Sequence, residues 1–254
     1  MSKDSKRGAR EKLAEERRRD AAAAQRRQRL TNIVVAVVVV AVIVGIFIAV
    51  QSTRNSGPSD AALPAGISEP GAGAAFGDGP VTVDLWEDFQ CPACKAFEST
   101  NAASLDERVA AGDITLVIHP LSFLDQNLGN DSSLLAASAF GCAIDAGKGL
   151  EFHNKVYENQ PEENPGQDAW TAADLVGWGN DVGISGSDWD ACVNEVTYRG
   201  WTEQVAASQA DAGVTGTPTV FVNGTAAWQS GEESGPFFTS PDALNEVIDA
   251  AAQG

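Results

Sequence analysis

Two cysteines three residues apart, Cys91 and Cys94 in "EDFQCPACKAFE", are open to three chemistries: a redox couple, half of a metal site or a plain crosslink. Pro92 occupies the favoured first position of a helix, which makes Cys91 its N-cap. A sulfur there faces unpaired backbone N–H groups and the positive end of the helix dipole, both of which favour thiolate over thiol. Cys94 shares the same helical face at a separation that suits a disulfide. The spacing assigns Cys91 as the attacking thiol and Cys94 as the resolving one. Structural zinc wants four ligands, and the other candidates, Cys142, Cys192, His119 and His153, include no second close pair. A merely structural crosslink would close a four-residue loop, which constrains the unfolded chain least. Redox exchange is the preferred reading, with no metal and no cofactor beyond the cysteine pair itself.

Chemistry at Cys91 needs elements to hold it. In "PVTVDLWEDF", Val81, Val83 and Leu85 alternate as in a strand. The segment after Cys91 spaces Phe97, Ala102, Leu105 and Val109 as a helix, with Gly112 as its stop. "ITLVIH", residues 114–119, predicts a second strand that Pro120 ends. Strand, helix, strand implies a parallel pair with a right-handed crossover. Far downstream, "GTPTVFVNGTAAW" places Pro218 at the start of a strand that turns at Asn223-Gly224 into another. Its peptide isomer is not readable from the pattern. Ser240 and Pro241 open a last helix whose Leu244, Val247, Ile248 and Ala251 face the core. Residues 126–211 carry mainly helical signals: "SSLLAASAFGCAIDAG" puts Leu135, Ala139, Cys142 and Ala143 on one face, and Thr171 and Ser187 each precede an Asp by three, close to a capping box.

Charge divides the chain. Residues 1–29 hold eleven Lys or Arg against five Asp or Glu, whereas the whole 254-residue chain has a net charge of -18. The body after the basic tail is strongly acidic, which excludes phosphate-backbone binding, since that depends on cations. Residues 30–50 include "IVVAVVVVAVIVGIFIAV", an uncharged run that as a helix rises about 27 Å, close to a hydrocarbon layer of roughly 30 Å. Arg26, Arg27 and Arg29 precede it and only Arg54 follows closely, so the expected orientation is N-terminus inside and body outside. No A-x-A site follows, which favours an uncleaved signal-anchor. Residues 51–79, rich in Gly, Pro and Ser, read as a flexible linker with a reach of about 30 Å.

"WEDFQCPACKAFE" after a strand, taken with "GVTGTPTVFVNG", resembles the DsbA-like branch of the thioredoxin superfamily, in its membrane-anchored actinobacterial form. The likeness spans roughly residues 75–254. It implies an α/β thioredoxin fold with an inserted helical domain, preceded by one N-terminal transmembrane helix. The domains are then a cytoplasmic tail (1–29), a membrane helix (30–50), a linker (51–79) and a thioredoxin domain (80–254) with a helical insertion at about 126–211. By resemblance, Cys91 attacks, Cys94 is its buried partner, Pro92 and Ala93 lie between them, and Thr217 and a cis Pro218 flank the pair. In an exported domain with four cysteines, the economical second pairing is a structural disulfide between Cys142 and Cys192. His119 and His153 are read as structural.

The family likeness implies a thiol:disulfide oxidoreductase outside the cytoplasm that forms disulfides in exported thiol proteins. A quinone-linked membrane oxidase of the DsbB or vitamin K epoxide reductase type would reoxidise it. A reductase, for example in cytochrome c maturation, and a non-catalytic binding module are the alternatives, and a monomer is expected. Three positions depart from the pattern. Ala93 stands where such oxidases often carry histidine. The strand acid of many relatives falls on Leu85. Glu87 and Asp88 would oppose a Cys91 thiolate if they faced it.

Overall fold

The computed structural model describes residues 61–162, 168–228 and 235–253. The basic tail and the expected membrane span at 30–50 lie outside them. Among the described residues, no helix is long and apolar enough to cross a membrane.

Five strands form one sheet: β1 (Ala74–Phe76), β2 (Val81–Asp88), β3 (Ile114–Leu121), β4 (Thr219–Val222) and β5 (Thr225–Trp228), in the order β1-β3-β2-β4-β5. Helix α1 (Pro92–Ala111) is the crossover that makes β2 and β3 parallel. It stops at Gly112, whose φ of 74° is the left-handed conformation that lets its N–H return to the carbonyls of Arg108 and Val109. Asn223 and Gly224 take φ values of 49° and 74°, the paired positive angles of a tight turn joining antiparallel β4 and β5. Among the described residues, six helices separate β3 from β4: α2 (Leu124–Leu128), α3 (Ser132–Asp145), α4 (Gly149–Glu158), α5 (Ala172–Asp181), α6 (Ser187–Asn194) and α7 (Arg199–Ser208). A 3₁₀ turn (Pro236–Phe238) and α8 (Pro241–Ala251) follow, and Ser240 caps α8 by accepting from the N–H of Asp242. One hydrophobic core runs from Val81, Val83 and Leu85 in the sheet through Phe97 to Phe140, Phe152 and Trp201 in the helices.

Four sequence expectations need correction. Residues 61–79 are not a free linker: β1 pairs antiparallel with β3, Leu63 and Ile67 pack on the core, and Trp201 Nε1 donates to the Ala72 carbonyl at 2.9 Å. Their small side chains let this backbone lie close to the sheet, which composition alone reads as flexibility. β3 continues through Pro120 to Leu121, because β1 reaches no further than Ile118 and β3 is an edge beyond it, where a missing N–H is tolerated. α3 is buried on nearly every side rather than along one stripe, since Ala136, Ala137, Ala139, Gly141 and Ala143 allow close approach all round. Thr171 forms the expected capping box with Asp174, but at α6 Gly186 is the cap and Ser187 is already helical.

Candidate active site

Cys91 sits at the N-cap of α1 with extended backbone, Pro92 follows at the first helical position, and the Cys91 N–H donates to the Asp88 carbonyl at 2.8 Å. The loop before β4 arrives from 126 residues away, and the Cys91 thiol donates to the Thr217 carbonyl at 3.5 Å. The Thr217–Pro218 peptide is cis. Among the described residues, Thr217 Oγ1 is buried without a hydrogen-bond partner. Cys91 keeps 8% of its surface exposed and Cys94 none. Pro92 is exposed and Ala93 partly so. The structure therefore brings together Cys91, Pro92, Ala93, Cys94, Thr217 and Pro218. Cys142 and Cys192 form a disulfide between α3 and α6, and Cys91 and Cys94 are free thiols.

The two thiols are electrostatically unlike. The Cys94 thiol beside it is the largest influence on Cys91 and lowers its pKa from 9.0 to about 6 against the opposing effect of burial; Thr217 and the N–H groups of Cys94 and Ala93 add smaller contributions. The N–H groups of Ala93 and Cys94 belong to the helix end from which sequence reasoning argued, and the neighbouring thiol contributes more than they do. Burial pushes Cys94 well above 9.0, and the charges of Cys91 and Glu87 add to this.

The acids behave differently from the sequence expectation. Glu87 lies one pleat beyond Leu85 on the same face of β2, so a strand acid is present two residues later than the family position. Burial raises Glu87 well above the usual carboxylate range, offset in part by the adjacent Glu98. Asp88 is raised to about 7 by burial despite accepting from Ser133 Oγ at 2.5 Å and from the N–H groups of Gln90 and Leu124. Carboxyls held protonated oppose a Cys91 thiolate much less than charged ones would.

Sequence reasoning missed two polar groupings. Glu98 and Asn101 lie on the buried face of α1 with Cys94, Phe97 and Leu105. Polar residues within an apolar stripe were the signal. His153, read as structural, is 2% exposed, and its Nε2 lies 2.9 Å from Glu87 Oε2 while its Nδ1 lies 3.9 Å from Glu98 Oε2. His119 instead stacks on Trp86 at 4.0 Å and meets Asp84 at 3.1 Å. The second grouping anchors the cysteine loop to the helices: Gln90 Nε2 donates to Asp125, Asn130 and Ser133, and Gln160 Nε2 donates to the carbonyls of Phe89 and Cys91.

Comparisons with known proteins agree with this geometry. A family model described as thioredoxin matches residues 74–248. Over 151 residues the chain is 28% identical to the serine/threonine-protein kinase PknE of Mycobacterium tuberculosis, covering 56% of this chain and 26% of the kinase. It is 26% identical over 151 residues to disulfide bond formation protein D of Bacillus subtilis, covering 58% of this chain and 64% of that protein. The chain thus spans less than two thirds of either curated relative. The crystal structure of reduced DsbA from Mycobacterium tuberculosis superposes with a TM-score of 0.53 at 26% identity, covering 77% of this chain and 94% of that one.

Proposed function

The chain belongs to the thioredoxin family, and on that premise we propose that it is a DsbA-type thiol:disulfide oxidoreductase that forms disulfides in exported proteins. The observation that carries this reading is the asymmetry of the pair, with Cys91 lowered to about 6 at a helix N-cap and Cys94 buried and raised. In the oxidised couple a substrate thiolate attacks Cys91 Sγ, and the Cys91–Cys94 bond breaks. Cys94 leaves as a thiolate and takes up a proton, for which Glu87, kept protonated by burial, is the nearby donor. The substrate's second thiolate then attacks its own sulfur in the mixed disulfide and expels Cys91. Two electrons pass from substrate to the cysteine pair. A thiolate of low pKa is a good leaving group, and its stabilisation holds the enzyme's reduced form down in energy, which is what an oxidant requires. No other cofactor is needed.

The uncharged run at 30–50 supports a membrane anchor with the domain outside the cytoplasm. A quinone-linked membrane oxidase of the DsbB or vitamin K epoxide reductase type then serves as electron acceptor. The reductase reading draws on Ala93, which offers the Cys91 thiolate no side-chain donor. Equilibrating the full-length chain against glutathione separates the two. A midpoint near about -120 mV supports disulfide formation, and one near about -270 mV places the protein with reductases. A Cys91→Ser protein with full activity in oxidative refolding would refute both and leave a binding module.

A further inference from the structure

Behind Cys94 the fold encloses a group of side chains that disulfide exchange alone does not require. Glu87 from β2, Glu98 from α1 and His153 from α4 are 2%, 5% and 2% exposed, and each presents one ligand-type atom within 4.8 Å of the others. Two carboxylates and an imidazole in so small a space are costly to bury unless charge is neutralised there. His153 satisfies one oxygen of Glu87, and Glu98 and Tyr157 stand close enough to act on Glu87 by side-chain hydrogen bonding, yet among the described residues Glu87 Oε1, Glu98 Oε1 and the Tyr157 hydroxyl are buried without a well-formed hydrogen bond. Glu98 and Tyr157 also line a groove of about 560 Å³ between α1 and α4, whose lining includes Asp106, Glu158, Glu162 and Lys95, the last two ion-paired at 3.1 Å. An acidic mouth thus leads to a buried donor set.

We propose that Glu87, Glu98 and His153 form a binding site for one divalent transition-metal ion, with zinc as its representative. One nitrogen and two carboxylate oxygens suit zinc, manganese or iron(II); magnesium and calcium prefer oxygen alone. The ion would supply the unpartnered oxygens with a partner and release the protons that the carboxyls hold. This departs from the sequence expectation of no metal, which weighed zinc on the cysteines and histidines and left the carboxylates out; Cys142 and Cys192 are committed to their disulfide and Cys91 is at the surface side of the site.

Binding to the three residues does not depend on the proposed activity, whereas its consequence does. Glu98 stands one helical turn from Cys94 on the buried face of α1, so a cation held with it adds positive charge beside the pair, which favours the more anionic reduced couple. Linkage makes the effect reciprocal: a tenfold preference of the ion for the reduced protein raises the midpoint by about 30 mV.

The test is zinc titration, by calorimetry, of the full-length chain in detergent, freed of metal and with Cys91 and Cys94 oxidised so that no thiol competes. One saturable equivalent is expected, unaffected by calcium. Glu98→Gln and His153→Gln should each weaken binding at least tenfold, and the rim variant Glu158→Gln less than twofold. Cobalt(II) in place of zinc should give ligand-field bands without thiolate charge transfer. Absence of saturable binding, equal binding by the two buried-site variants, or loss on Glu158→Gln, which would mark an adventitious rim ion, overturns the site. If one buried-site variant does not fold, the other decides. An unchanged midpoint in zinc overturns the redox coupling alone, and a chain with no glutathione-equilibrating couple overturns the proposed function while leaving the site standing.

Discussion

Removing the Cys94 thiol should change how Cys91 ionises, and by an amount that the geometry bounds. Cys91 is lowered from 9.0 to about 6, three units, or about 4 kcal/mol at 1.36 kcal/mol per unit. Burial acts in the opposite direction, so the favourable contributions together exceed that figure, and hydrogen bonding from Cys94 is the largest of them. Cys94→Ala removes this donor and leaves Thr217 and the backbone N–H groups of Ala93 and Cys94 in place. The Cys91 pKa should rise by at least about one unit, so that at pH 6 the thiolate fraction falls from about one half to below about one tenth. Cys94→Ser keeps an O–H donor and should stay much closer to the wild type. The assay is the pH dependence of iodoacetamide alkylation, checked by thiolate absorbance. A Cys94→Ala protein whose Cys91 still titrates near 6 would refute the reasoning and assign the low value to the helix N-terminus.

Breaking the Cys142–Cys192 crosslink, which spans 50 residues, with Cys142→Ala and Cys192→Ala together should lower stability by roughly 4 kcal/mol in the chain-entropy model, measured by urea unfolding, with refolding activity retained. Gly141→Ala should destabilise by about 1–3 kcal/mol in the same assay, because a Cβ there would lie 2.7 Å from the ring of Tyr198 inside a packed core. Asp88 is raised from 3.8 to about 7, so the folded state binds the extra proton. Its contribution to stability is complete below about pH 4 and is lost as pH rises through 7. Asp88→Asn should flatten the fall in stability between about pH 4 and 7, and an unchanged slope by urea unfolding across that range would refute the assignment.

Local chemistry made much of the site legible. A cysteine followed by proline after a strand can hardly be anything but a helix cap, and the Asn223-Gly224 turn, the Gly112 stop and the Ser240 cap each follow from what one or two residues can do with their own backbone. Segments of low complexity were harder. Ala74–Phe76 became a strand because β3 offered an unpaired edge, and α3 was buried all round because its small residues met neighbours on every side.

From sequence alone came the cysteine pair, the order of strands and helices around it, and the division between a basic tail, an apolar run and an acidic body, because periodicity, capping and charge are properties of neighbouring residues. Tertiary structure alone decided which partners meet. Thr217 reaches Cys91 across 126 positions. Cys94 is the largest influence on the ionisation of Cys91, Glu87 lies buried one pleat beyond Leu85, and Glu98 joins His153 behind the pair. The ionisation of a buried group depends on its desolvation and on charges brought close by folding, and neither is written in the residues beside it.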